Sequence, residues 1–296
     1  MIGKALIQTL RPEQWYKNLL IYVPLVISLH LFNLESLLLV SSGFVILCLS
    51  SSATYIINDL VDYKQDLIHP EKSKRPISSG RLSRQNGVIV MISLVAVSEF
   101  FGYFLGMQFF MINSILIFLG LIYSLKARNI FVLDVLLISI NYILRASSGS
   151  FILGQKVTPA LIGGIFFLAL LLVLGKRKTE ISYLKGKALE HRQVLEKYSS
   201  KILDYFIVVT FVIVMVVYSI YCIKGPVSVN DWRLVLTIPL AFFILILYLK
   251  KILKGELEGK ELNYLLVHEK KMAVSIVAFM TLVIILLYFI PSYYFR

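Results

Sequence analysis

The chain has 296 residues, of which 58% are hydrophobic and only 16% charged, with a mean hydropathy of +0.81. A water-soluble domain is about half apolar and about a quarter charged, so this composition excludes a soluble enzyme and points to a single integral membrane domain over residues 1–296. The net charge of +13 calls for no nucleic acid: topology and contact with anionic lipid headgroups account for it.

Residues 1–17 carry Lys4, Arg11 and Lys17 and run into an apolar stretch with no small-residue cleavage site, so 17–34 is expected to be the first span. Further stretches near the roughly 20 residues a spanning helix needs lie at 36–56, 87–106, 108–125, 130–153, 158–175, 202–223, 232–249 and 272–290. The expected fold is therefore all-α, a polytopic bundle of nine transmembrane helices. Cys48 and Cys222 fall inside apolar runs and read as small core residues; the four histidines have no zinc spacing. With nine spans, 25 of the 30 Lys and Arg residues lie on one side and 4 on the other, Arg145 being within a span. That asymmetry places the N-terminus in the cytoplasm and the C-terminus outside. The long polar connections, about 57–86, 176–201 and 250–271, share the cytoplasmic face, and a site is expected there.

The most informative stretch follows the second span: Asn58, Asp59, Asp62 and Asp66. On a continuing helix the three aspartates fall within roughly 60° of one another. Carboxylates so grouped repel unless a cation neutralises them, and hard oxygen ligands suit Mg2+, which completes its shell with water and substrate phosphates. The alternative is a solvated helix end, with Asp66 paired to Lys64 or Lys72. Lys72, Lys74 and Arg75 come next and can receive phosphate oxygens, arginine bidentately. Pro76 and Gly80 punctuate the loop.

Polar groups also interrupt the fifth span. Asp134, Asn141 and Arg145 lie within roughly 20° of one face, which reads either as the lining of a polar cavity or as a structural pairing of Arg145 with an acid on a neighbouring helix. Tyr123 and Lys126 close the fourth span. Lys176, Arg177, Lys178 and Glu180 close the sixth, as a second anion-binding cluster or an ordinary Lys176–Glu180 helix pair. In the N-terminal arm Trp15 and Tyr16 suit an interfacial anchor, and Lys17 and Asn18 suit the mouth of a cavity. A transporter would place acids deep within several spans; here the acids are read as clustering at the cytoplasmic edge.

Together these pieces resemble the UbiA-type prenyltransferase superfamily, whose NDxxDxxxD motif after the second span is matched by Asn58, Asp59, Asp62 and Asp66. Within it the chain is most similar to the decaprenyl-phosphate phosphoribosyltransferase branch. The matching residues are Arg11, Pro12, Gln14, Trp15, Lys17 and Asn18; His69, Pro70, Lys72, Arg75, Pro76 and Ile77; Asp134 with Leu144, Arg145 and Ala146; and Gly175, Lys176, Arg177 and Glu180. Two departures stand out. Prenyltransferases with aromatic acceptors usually carry a second aspartate-rich motif after the sixth span, where this chain has three bases and one acid. In the eighth loop Glu269–Lys270 replaces a basic–acidic pair near a DR dipeptide.

The resemblance implies a nine-span bundle with a cytoplasm-facing Mg2+ site and no need of a nucleic acid partner; a homo-oligomer is compatible with it. Two aspartate motifs suit a polyprenyl diphosphate held by two metals. One aspartate motif with a basic cluster suits a metal-bound diphosphate on one substrate and a bare phosphate on the other. The expected reaction is transfer of 5-phosphoribose from phosphoribosyl diphosphate to a polyprenyl phosphate. Asp59 and Asp62 are its catalytic metal ligands, joined by Asn58 or Asp66. Lys17, Asn18, Lys72, Arg75, Tyr123, Lys126, Asp134, Asn141, Arg145, Lys176, Arg177 and Glu180 are its candidate substrate contacts. The alternative is transfer of a polyprenyl group from its diphosphate to an aromatic or glycerol-type acceptor.

Overall fold

The computed structural model describes residues 2–69, 71–127, 130, 132–184, 200–224, 232–254 and 269–291. Pro70, most of the predicted loop at 185–199, and 255–268 of the last loop lie outside the described residues. Among the described residues every regular element is helical. In chain order they are α1 (Ile2–Leu10), a 3-10 segment (Pro12–Ile21), α2 (Tyr22–Ile27), α3 (Leu34–Val61), α4 (Tyr63–Ile68) and a 3-10 turn (Lys72–Lys74). Then come α5 (Arg84–Phe104), α6 (Met107–Leu125), α7 (Leu133–Ile152), α8 (Pro159–Leu184) and α9 (Ser200–Lys224). A 3-10 turn (Arg233–Thr237), α10 (Ile238–Leu253), α11 (Lys270–Ile284) and a π turn (Ile285–Phe289) complete the order.

Eight of the described helices are long and apolar enough to cross a membrane, and the protein is a multi-pass membrane protein. The first stretch expected to span, 17–34, is not one helix: the 3-10 segment gives way to the six-residue α2, and Leu29 turns the chain with φ +64°. Pro24 is one cause. It has no N–H to give a preceding turn, and it sits in the first turn of α2, where none is required. The sixth span runs longer than its apolar composition suggests, with α8 continuing through the basic segment to Leu184. Side-chain caps fix two helix starts: Asn33 accepts from the Ser36 N–H at 2.8 Å and Ser83 from the Asn86 N–H at 3.1 Å.

The chain forms two compact units. The first comprises Met1–Leu25, His30–Arg128 and Asn141–Val157. In it α3 is the central helix, packed against α1, the first 3-10 segment, α5 and α6. Ile21, Leu25, Val40, Leu47, Phe109 and Leu116 form its core, and Ile56, Ile77 and Leu82 form a second cluster beneath the loop after α4. A polar seam ties three of its helices together within the span region. Asn113 on α6 donates to Glu99 on α5 at 2.8 Å, Ser114 donates to the same carboxylate at 2.6 Å, and Ser50 on α3 donates to Asn113 Oδ1 at 2.6 Å.

Gly149 on α7 is a close-approach glycine: a Cβ there would collide with the Ile21 carbonyl oxygen. Backbone cannot yield as a flexible side chain can. Gly149→Ala is therefore expected to cost about 1–3 kcal/mol, read as a fall of several degrees in the thermal midpoint of the detergent-purified protein. Gly3→Ala, which meets open space, serves as the unchanged control.

The second unit comprises Val26–Leu29, Asn129–Ile140 and Thr158–Arg296. Here α8 packs on α9, α9 on α10, and α10 on α11, around Leu171, Leu174, Leu203, Ile207, Tyr248 and Ile252. Buried Arg233 donates from Nη1 to the carbonyls of Leu286, Leu287 and Ile290 at 3.2, 2.9 and 2.8 Å, satisfying backbone acceptors that the end of the last helix leaves open.

Candidate active site

The aspartate motif lies where α3 gives way to α4. Asp62 has φ −84° and ψ −1° and interrupts the helix, so the motif is not carried on one straight element. The turn still propagates: Asp62 N–H donates to Asn58 at 2.9 Å and Asp66 N–H to Asp62 at 2.8 Å. Asp59, Asp62 and Asp66 are all buried. Asp59 and Asp66 are brought together by a shared arginine. Arg75 Nη1 donates to Asp59 Oδ1 at 3.0 Å and to Asp66 Oδ2 at 2.7 Å. Arg11 also donates to Asp59 Oδ1. The acid–base pairing in this loop is thus made by Arg75.

Local geometry explains why Arg75 reaches inward. It caps the Lys72–Lys74 turn in extended conformation, and Pro76 follows. The Ser79 N–H and hydroxyl bind its carbonyl at 2.8 and 2.7 Å, and Ile77 is anchored in the cluster with Ile56. Arg11 holds its position with a left-handed backbone, φ 52° and ψ 59°, a conformation that bulky residues avoid and that recurs at functional sites. Its guanidinium lies 5.2 Å from the centroid of the Tyr55 ring. Lys72 N–H lies at 3.3 Å from His69 Nδ1.

A second polar group in the same unit joins the N-terminal arm to α3 and α7. Buried Asn18 donates to Cys48 Sγ at 3.3 Å, and its Oδ1 accepts from Ser51 and from Arg145 Nη1. Arg145 also donates to Ser51 Oγ at 3.0 Å. The oxygens that hold Arg145 here are neutral, not a carboxylate. Arg145 and Asn141 line a small cavity of about 20 Å³ with Ser50, Ser51 and Thr54, room for about one water. Trp15 Nε1 donates to Ser52 at 3.1 Å, so this tryptophan is built into the unit. Lys17 donates to Gln14 at 2.6 Å. Lys126 ends α6 and is exposed; Tyr123 lies one turn earlier.

In the second unit the basic segment of α8 is internally neutralised. Arg177 is 1% exposed; its Nε donates to Asp134 at 2.8 Å and its Nη1 to Glu180 at 2.6 Å. Lys178 donates to Asp204 at 2.8 Å. Lys176 begins the same helical turn. The polar stripe expected along α7 therefore divides: Asp134 pairs with Arg177, while Asn141 and Arg145 line the small cavity of the first unit. Lys251 and Glu269 pair at 2.7 Å beside the last loop.

Comparison with known proteins decides the family. The pattern of the UbiA prenyltransferase family matches residues 20–267. The chain belongs to the UbiA prenyltransferase family. It is 27% identical to decaprenyl-phosphate phosphoribosyltransferase of Corynebacterium glutamicum over 251 residues, 82% of this chain and 76% of that one. An uncharacterized protein, y4nM of Sinorhizobium fredii, is 34% identical over 177 residues, 60% of this chain but only about a third (34%) of that protein's length. The fold matches a UbiA homolog from Archaeoglobus fulgidus bound to DMAPP and Mg2+, with TM-score 0.72 and 18% identity over 95% of this chain and 98% of that one.

The protein is thus an enzyme of the UbiA superfamily, and its aspartates can be tested as ligands for the divalent metal such neighbours hold. The donor chemistry fits: three buried carboxylates offer hard oxygens. Asp59 Oδ2 is buried and accepts no hydrogen bond, a state that costs about 1–3 kcal/mol and that a cation would relieve. Among the described residues no three His, Cys, Asp or Glu side chains converge as a ready-made metal site; Arg75 spans two of the three carboxylates. Sequence reading missed both this bridge and Glu99, an acid inside a span. A lone glutamate among apolar residues was the available signal for the latter.

Proposed function

We propose that this UbiA enzyme transfers 5-phosphoribose from phosphoribosyl diphosphate to a polyprenyl phosphate, releasing pyrophosphate. The observation that carries this reading is in the sequence: the aspartate motif is intact, and Lys176, Arg177 and Lys178 stand where a second aspartate motif would; Arg177 and Lys178 bind acids of their own unit, and Lys176 is the cation proposed for the phosphate. The likeness to relatives named decaprenyl-phosphate phosphoribosyltransferase, 26–27% identical over about four-fifths of the chain, supports it.

Asp59 and Asp62, with Asn58 or Asp66, would hold Mg2+, which when bound supplies charge neutralisation to the diphosphate leaving group. Lys72 and Arg75 bind diphosphate oxygens from the loop. The anomeric carbon gains positive character as pyrophosphate departs. The acceptor phosphate, already an anion, attacks with little need of a general base. Lys126, Lys176 and Arg145 are its candidate ligands, with Lys17, Asn18 and Asn141 lining the polar approach and Tyr123 contacting the ribose. Asp134 and Glu180 act through Arg177, whose guanidinium they hold in place. The lipid tail enters laterally from the bilayer, and the site opens to the cytoplasm of a cell-membrane protein whose N-terminus is also cytoplasmic.

A second reading, transfer of a prenyl group from its diphosphate to an aromatic or glycerol-type acceptor, draws on the likeness to a homolog bound to DMAPP and Mg2+. One assay separates them. Purified protein with labelled phosphoribosyl diphosphate, polyprenyl phosphate and Mg2+ is expected to yield lipid-linked label, lost with EDTA and restored by Mg2+. Product only from a polyprenyl diphosphate and an acceptor would select the second reading.

A further inference from the structure

Arg75 occupies two carboxylates that the metal would need. It is 24% exposed, whereas the Asp59 and Asp66 side chains it bridges are 1–2% exposed, so the guanidinium lies over the acids on their accessible side. Arg11 adds a second cation at 18% exposure. Both guanidiniums reach Asp59 at Oδ1, and its Oδ2 carries no hydrogen bond. A divalent ion would compete with Arg75 for the same carboxylates.

We infer that Arg75 is an exchangeable counter-ion: it holds Asp59 and Asp66 together until a divalent cation takes them, and is then released to a substrate phosphate. This rests on the metal-binding part of the function proposed above. Three features confine the exchange to the side chain. Pro76 fixes the backbone after it, Ser79 clamps its carbonyl with two hydrogen bonds, and Ile77 is packed with Ile56 and Leu82. The guanidinium can therefore turn without unfolding the loop. Its planar fork suits both partners, since carboxylate and phosphate offer it the same paired oxygens. Arg11, on a left-handed backbone, keeps a second guanidinium on Asp59 Oδ1 when Arg75 turns away.

The consequence is an ordered site. Before metal binds, Arg75 holds Asp59 and Asp66 together, which offsets the repulsion between two buried carboxylates. After metal binds, the released guanidinium and the ion together present positive charge to a diphosphate. Metal and diphosphate should then bind with mutual reinforcement.

The test is Mn2+ binding, followed by electron paramagnetic resonance, to the purified full chain without lipid or sugar substrate. Arg75→Gln is expected to tighten Mn2+ binding about fivefold, the factor a partly exposed ion pair is worth. Lys64→Gln, which changes nearby charge at an exposed position on α4, should change it less than about twofold, as screened surface charge does. Inorganic pyrophosphate should strengthen Mn2+ binding in the parent protein, and by a smaller factor in Arg75→Gln. Unchanged or weaker Mn2+ binding in an Arg75→Gln protein that elutes like the parent would overturn the inference. If that variant does not fold, Arg75→Lys decides: tighter Mn2+ binding than the parent supports the exchange, equal binding overturns it. Mn2+ and pyrophosphate are common to both transfer chemistries, so a wrong acceptor leaves these outcomes untouched. Absence of any Mn2+ binding by the parent would bring down the metal reading as well.

Discussion

Asp59→Asn and Asp62→Asn are each expected to lower turnover by roughly a thousandfold, the order seen when one preorganised charge is removed from a water-poor site. Asparagine keeps the shape of aspartate and one acceptor oxygen but loses the charge. At position 59 the loss is twofold in kind. The oxygen that accepts no hydrogen bond ceases to be anionic, and Arg11 and Arg75 lose the carboxylate that holds them both. At position 62 the bonds of Arg11 and Arg75 to Asp59 and Asp66 stay, so a fall in rate there does not come from losing them. Comparing the two variants therefore separates metal binding from arginine placement. The measurements are the initial rate of lipid-linked product at saturating Mg2+ and the Mg2+ concentration for half-maximal rate. Near-normal rates in both variants would remove the metal-site proposal.

The second large effect concerns Arg177. Its burial at 1% and its bonds to Asp134 and Glu180 predict a stability role first. Arg177→Met takes the guanidinium from a fully buried aspartate, and breaking a buried pair in this way costs about 3–5 kcal/mol. The expected result is a marked fall in thermal midpoint, or loss of recoverable protein. Asp134→Asn combined with Arg177→Met should recover a substantial part of the loss, because no isolated charge then remains. Glu180→Gln should cost less, since Glu180 is 19% exposed and water can screen it. If Arg177→Met instead retains full stability and loses only activity, with the effect confined to the KM of the phosphate acceptor, then Arg177 is a direct phosphate ligand and not the organiser of α7 and α8.

These residues show where sequence reasoning reaches its edge. The family and the helical architecture were legible because both are written in local pattern. Apolar length marks a membrane helix wherever it docks, and Asn58, Asp59, Asp62 and Asp66 keep their spacing whatever surrounds them. The first stretch expected to span is irregular in a way hydropathy does not register: it opens as a 3-10 segment, continues as the short α2, and turns at Leu29 with a positive φ. The same holds at Asp62, where a bend interrupts a motif that simple periodicity treats as one face.

Partners were less legible. Lys64 and Lys72 were the near cations for Asp66, and Lys176 the near cation for Glu180, yet Arg75 and Arg177 make the bonds described. Asp134 and Arg145 share a face of α7 and still take different partners, Arg177 for one and Asn18 with Ser51 for the other. Those pairs are separated by 43 and 127 residues in the chain, so no window of sequence contains them.

For this protein the sequence by itself determined the membrane-spanning composition, the family and the aspartate motif with its unusual basic counterpart. Each depends on residue identity and short spacing alone. Only the tertiary structure decided that Arg11 and Arg75 bind Asp59, and that Arg177 is spent on Asp134. The physical reason is that a charge in a low-dielectric interior must be satisfied by whatever the docked helices bring within about 3 Å. Packing, not sequence order, chooses that neighbour.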